Sequence, residues 1–275
     1  MTVSNGRSCF AMNDGVRLHY HIRGAGRPVV MLHGFPEYWK VWRHQIDDLS
    51  RNYCVIVPDL RGFNLSDRPQ GVQQYTARAV AGDVLAILRE LSVGKVALVG
   101  HDIGGMIAWW IASYHPDRVE RLALLSAPHP VEYVIGRRDP TQRKASLYVD
   151  ELLGSAAVDL LRPERLSFWI EDRQMRAELE EALTRSDLQA VANYFRANLF
   201  DQSELLTAGM PRVGCRTLVL YGSQDRFVLR FIYQRTHVWV EGPLTIKELA
   251  GEGHFIHHDA AAAVTTELRK WLAAA

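Results

Sequence analysis

The stretch Gly100-His101-Asp102-Ile103-Gly104 has the composition of a nucleophile held on a tight turn. A side chain presented at a sharp strand-to-helix turn needs small residues two positions before and after it, because the backbone there is strained and closely packed. Asp102 occupies the centre in place of serine, and Gly-x-Ser-x-Gly occurs nowhere in the chain. An Asp at a helix start is also a good N-cap. The flanking glycines, the buried strand pattern before it and the apolar helix after it favour the nucleophile. An acid and then a histidine must follow, each at a strand end. Asp225 ends Gly222-Ser223-Gln224-Asp225, and His254 lies in Gly251-Glu252-Gly253-His254-Phe255. His257 and His258 lie past those glycines and rank below His254. An oxyanion hole has its own signature in His33-Gly34-Phe35-Pro36, where the main-chain N–H groups of Phe35 and Ile103 can converge on one oxygen.

These residues need strands and turns to position them. Residues 16–22 alternate apolar and polar, as in a half-exposed strand. Residues 28–32, 53–57 and 95–99 are short β-branched runs suited to strands covered on both faces. Residues 39–49 and 77–91 read as helices, and a further helix follows Asp102 to Tyr114. Strand 119–125 closes this half. Repeated strand–helix alternation predicts an α/β fold around a mostly parallel sheet. The alternation then stops: only helical periodicity runs from about residue 131 to 208. It resumes with strands 217–221 and 244–249 and a last helix over 259–272. The expected organisation is a core of residues 1–128 and 209–275, with residues 129–208 inserted between two strands as a helical cap over the active-site edge.

Composition narrows the function. The chain has 275 residues, enough for one large buried core. Its 32 Lys and Arg nearly cancel its 31 Asp and Glu, so no basic field is available for nucleic acid or an anionic membrane. Residues 1–10 lack an apolar leader and no apolar run is long enough to span a bilayer, so a cytoplasmic location is expected. Cys9, Cys54 and Cys215 are read as free thiols in or beside strands. His19 and His21 share a strand face and show no metal spacing, so they are read as surface or packing residues.

Together with Val57-Pro58-Asp59-Leu60-Arg61-Gly62-Phe63, these motifs resemble the epoxide hydrolases of the α/β-hydrolase superfamily, over about residues 13–272. The resemblance implies the α/β-hydrolase fold and a two-step reaction. Asp102 attacks an epoxide carbon to form an alkyl ester, and water activated by His254, itself oriented by Asp225, hydrolyses it. A carboxylate suits this task, because a serine would leave a stable ether. No metal or organic cofactor is implied. The partner is a small hydrophobic epoxide, and the chain is a monomer or homodimer. The family also supplies two cap tyrosines as ring-opening acids. Ala145-Ser146-Leu147-Tyr148 matches the first motif. The second usually reads Asn-Trp-Tyr-Arg, but here it is Asn193-Tyr194-Phe195-Arg196, with Tyr194 about 100° around a helix from the expected position. Tyr148 and Tyr194 are therefore the candidate acids, and Trp39 and Phe195 the candidate pocket residues. Haloalkane and haloacid dehalogenases share the Asp-His-Asp triad, but their halide- or carboxylate-binding residues are absent at Phe35 and Ile103. A non-hydrolytic, ligand-binding member of the fold is the third reading.

Overall fold

The computed structural model describes residues 2–154, 161–199, 206 and 209–274, with side chains from residue 6 onward. Eight strands form one sheet in the order β1-β2-β4-β3-β5-β6-β7-β8. They are β1 Thr2–Asn13, β2 Val16–Ala25, β3 Arg27–Leu32, β4 Tyr53–Pro58, β5 Val96–His101, β6 Val119–Leu125, β7 Arg216–Gly222 and β8 Leu244–Leu249. β1 and β2 pair antiparallel, β2 runs antiparallel to β4, and the remaining pairs are parallel.

The period of two along each strand divides the core. Val30, Leu32, Ile56 and Leu98 face one layer, while Val29, Met31, Val55 and Val99 face the other. On the first side pack α2 (Ala77–Glu90) and α3 (Asp102–Tyr114), and on the second α1 (Arg43–Leu49) and α11 (Ala261–Ala273). The apolar stripe of α2, Val80, Val84, Ile87 and Leu88, is wholly buried. The Thr76 hydroxyl starts that helix by accepting the Ala79 N–H at 3.3 Å. Each such side chain contributes about 1.5–3 kcal/mol on burial.

Between β6 and β7 the described residues are helical: α4 Pro130–Gly136, α5 Pro140–Ala145, α6 Leu147–Leu153, α7 Pro163–Leu166, α8 Arg173–Arg185 and α9 Leu188–Leu199. The expected end of the insertion at residue 208 lies outside the described residues.

Three elements differ from the sequence expectation. β1 went unread because it is an edge strand whose large apolar residues Phe10 and Met12 are exposed. The helix expected over 39–49 is a 3-10 turn, Trp39–Trp42, followed by α1. The last helix is preceded by a separate short turn, α10 Ile256–Asp259. No described helix is long and apolar enough to cross a membrane.

The register decides where the site lies. Leu32 pairs with Gly100, and Gly222 with Leu249, so the loops after β3, β5, β7 and β8 leave one edge of the sheet. β3 and β5 are neighbours whose connections run to opposite sides, and open α/β sheets bind ligands in the crevice at such a point.

Candidate active site

Asp102 begins α3 directly after β5 with φ 49°, a left-handed backbone. A non-glycine residue costs about 1–3 kcal/mol there and persists only where its surroundings impose it. The glycines allow those surroundings to close in. A Cβ on Gly100 would stand 2.5 Å from the Gly104 carbonyl oxygen, and one on Gly104 2.4 Å from that of His33.

Asp102 Oδ1 accepts the Phe35 N–H at 2.9 Å. Ile103 is in the first turn of the same helix, where N–H groups have no intrahelical acceptor, so its amide is available beside that of Phe35. Asp102 Oδ2 is 3.6 Å from His254 Nε2, too long for a hydrogen bond but close enough for strong attraction. His254 Nδ1 lies 2.8 Å from Asp225 Oδ2. Asp225 Oδ1 accepts the N–H groups of Phe227 and Val228 at 2.8 and 3.0 Å. Asp225 thus fixes the imidazole with Nε2 toward Asp102.

Burial alone would lower the His254 pKa, but the charges of Asp225 and Asp102 and the hydrogen bond to Asp225 outweigh it and lift the ring to about 10. Burial would likewise raise Asp102. His254, the nearby His101 and the Phe35 N–H overcome that and hold the carboxyl below its ordinary value. The resting site is an imidazolium–carboxylate pair.

Asp102 and Tyr148 line two adjoining cavities of about 520 and 490 Å³. The smaller is almost wholly apolar, with Phe35, Leu152, Leu166, Phe168 and Phe255 in its wall. The larger also reaches Thr76, Trp110, Tyr133 and Asn198. Edge-on aromatic contacts ring the nucleophile: Phe35 on Phe195 at 5.6 Å, Tyr148 on Phe195 at 6.2 Å and Tyr148 on Phe227 at 5.4 Å.

An α/β-hydrolase-fold family model matches residues 27–261. Epoxide hydrolase 4 of Homo sapiens is 40% identical, the match covering 93% of this chain and 76% of the relative. The chain belongs to the epoxide hydrolases. Epoxide hydrolase 3 of Xenopus tropicalis is 30% identical over 94% of this enzyme and 76% of its own length. Among solved structures, an epoxide hydrolase from hot-environment metagenomes superposes with TM-score 0.86 at 29% identity, covering both chains fully. The Bacillus megaterium epoxide hydrolase matches in fold, with TM-score 0.87 at 24% identity over 96% of this enzyme and 99% of the other chain.

Of the expected site residues, Tyr194 borders the larger cavity with its hydroxyl engaged elsewhere, and Trp39 is not brought to the site. The Tyr194 hydroxyl donates to the Arg61 carbonyl at 2.9 Å, and its ring packs against Tyr75 and Phe63. The helical offset explains this: with Phe195 turned to the cavity, Tyr194 turns toward the core. Trp39 lines neither cavity and stacks on His21 at 4.3 Å, outside the site. His19, read as a surface or packing residue, is fully buried 2.7 Å from Asp59.

Other residues here carried no expected role. Glu37 is fully buried beneath the elbow. It accepts the Gly34 N–H at 2.6 Å and lies 2.9 Å from both His101 Nδ1 and His257 Nε2. His101 Nε2 in turn lies 3.1 Å from the His254 carbonyl. One carboxylate therefore ties the oxyanion loop, the elbow and the histidine loop together. The three side chains also have a metal-ligand composition. The His101 contact is a direct hydrogen bond, and both 2.9 Å spacings are shorter than the roughly 3.3 Å separating ligands around a tetrahedral zinc. Burial takes His257 down to about 4, so it is neutral at pH 7. Tyr133 of α4 is the second residue the sequence did not flag. Its only local signal is its place just after β6, at the same sheet edge.

Proposed function

We propose that this chain hydrolyses small, largely apolar epoxides to vicinal diols through an alkyl ester on Asp102. The observation that carries the reading is a carboxylate, not a hydroxyl, at the elbow, between the Phe35 N–H and His254 and facing the Tyr148 phenol across an aromatic cavity.

Asp102 is ionised at rest and attacks a ring carbon. The C–O bond breaks as Tyr148 gives its proton to the leaving oxygen. Burial and the nearby charges of Tyr133 and Asp102 hold this phenol well above its usual pKa, so it is protonated at neutral pH. Esterification removes the Asp102 charge, one of the two influences that keep His254 protonated. The ring can then release its proton and act as base toward water, with Asp225 stabilising the imidazolium that re-forms. The N–H groups of Phe35 and Ile103 hold the oxyanion at the Asp102 carbonyl. The helices within residues 129–208 act as a cap that excludes bulk water, which strengthens these interactions.

The donors facing Asp102 are phenols, whose protons an alkoxide needs and a departing halide does not. This favours an epoxide over a haloalkane. The test is diol formation from styrene oxide by the wild type, with Tyr148→Phe expected to slow ester formation about 10²–10⁴-fold. Halide release from haloalkanes or haloacids with no diol from any epoxide would transfer the reading to a dehalogenase.

A further inference from the structure

Ring opening leaves a phenolate in a cavity walled largely by apolar side chains, so a lone phenol is a poor donor there. The structure offers a second hydroxyl. Tyr133 lines the same cavity as Asp102 and Tyr148, so both phenols border the space beside the nucleophile. Tyr133 is held from the core side. The helix carrying it is fixed at its start by Pro130 and by His129 Nδ1, which accepts the Val131 N–H at 3.3 Å. The buried Ser146 accepts from Arg137 Nε at 3.2 Å, and the charge of Arg137 favours the ionised form of Tyr133. A cation thus stands near this phenol. Phe195, the other ring packed on Tyr148 from the cap, brings no donor.

We propose that Tyr133 is a second catalytic phenol of this enzyme, acting with Tyr148 on the epoxide oxygen. Both hydroxyls hydrogen-bond to that oxygen in the bound complex. As the Asp102 oxygen–carbon bond forms and the ring C–O bond breaks, one phenol O–H bond breaks and its proton moves to the leaving oxygen. The other hydroxyl then donates to the phenolate left behind. The proton that His254 releases on esterification returns to the phenolate through solvent. His254 then takes a proton from the hydrolytic water as its oxygen adds to the Asp102 carbonyl. When the ester C–O bond breaks, the water's second proton passes to the departing diol oxygen, restoring the imidazolium and the Asp102 carboxylate. Water therefore supplies both the hydrogen and the oxygen needed for balance.

Burial raises Tyr133 to about 12 and holds Tyr148 well above its usual range, so both phenols carry their protons at neutral pH and can donate them.

The inference rests on the epoxide-hydrolase reading. Its test separates ester formation from ester hydrolysis by rapid-quench mass measurement of the Asp102 peptide, with styrene oxide, for the wild type, Tyr133→Phe, Tyr148→Phe and the double variant. Tyr133→Phe removes one oxygen, and its melting temperature reports whether the fold survives. The expected result is ester formation slowed about 10–10³-fold in Tyr133→Phe, with decay of the ester unchanged and the double variant inert. Adding Phe195→Tyr to Tyr133→Phe should recover part of the rate, which a packing role would not predict. Wild-type ester formation in Tyr133→Phe, with Tyr148→Phe impaired, overturns the role of Tyr133 alone. No ester and no diol in the wild type with styrene oxide, 1,2-epoxyhexane or trans-stilbene oxide overturns the underlying reading and this inference with it.

Discussion

The two halves of the site are built differently. The sheet-edge half, with Asp102, Phe35, His254 and Asp225, is fixed by backbone: strand ends in register, a left-handed residue, and glycines with no room for a Cβ. The helical half, with Tyr133, Tyr148 and Phe195, is fixed by side-chain packing between short helices. A backbone-fixed half can move only by breaking the sheet edge. A packing-fixed half can exchange one helix face for another and still offer a hydroxyl. The proposed role of Tyr133 fits this division: position 195 carries Phe, and another helix of the same half supplies a hydroxyl to the cavity.

The largest expected effect lies in the backbone-fixed half. His254→Gln should leave ester formation in place but stop its hydrolysis, so the protein accumulates one equivalent of alkylated Asp102 and turnover falls about 10⁴-fold. Intact mass after mixing with substrate checks this, and unmodified protein that also fails to turn over would break the assignment.

Next in size is Gly104→Ala. Its methyl would meet the carbonyl oxygens of His33 and Leu32 at 2.4 and 2.6 Å, which are backbone and cannot swing away. A loss of about 2–4 kcal/mol in urea unfolding is expected. An equivalent methyl at Gly71 meets nothing, though its φ of 97° adds a small strain of its own.

A smaller effect follows from pH. His254 titrates near 10 when folded against an ordinary 6.5, so its ion pair stabilises the fold fully below 6.5, and that stability is lost as pH rises toward 10. The stability gap between wild type and His254→Gln should therefore narrow across pH 6.5–10 in urea titrations. Asp102, held low, acts at the opposite end, losing its contribution as pH falls through the acid range.

The smallest effect belongs to the helical half. Tyr194→Phe loses the bond to the Arg61 carbonyl, about 1 kcal/mol of stability, and should leave ring opening unchanged. Slowed ester formation in this variant would mean that Tyr194 reaches the substrate after all.

The same division explains what the sequence revealed. Asp102, Asp225, His254 and Phe35 were legible because tight turns at strand ends demand glycines at fixed offsets, and those demands are written locally. The central strands were legible because burial on both faces leaves continuous apolar runs. β1 was not, because an edge strand exposes residues such as Met12 and keeps no such run. Where the Tyr194 hydroxyl ends was not legible, because adjacent residues on a helix point about 100° apart and a motif does not say that this one reaches the Arg61 carbonyl. Tyr133 left no motif: its proposed role depends on the cavity it shares with Tyr148 of another helix. Glu37 was visible in its loop, but its grip on His101 and His257 is made across the fold and has no local signature.

The central claim is that Asp102, not water, makes the first bond to the substrate. Excess protein turned over once with styrene oxide in oxygen-18 water tests it most directly. The account predicts unlabelled diol from that first turnover and one oxygen-18 in the Asp102 carboxylate. Label in the diol with none in Asp102 would show that water opens the ring directly, and would contradict the covalent mechanism.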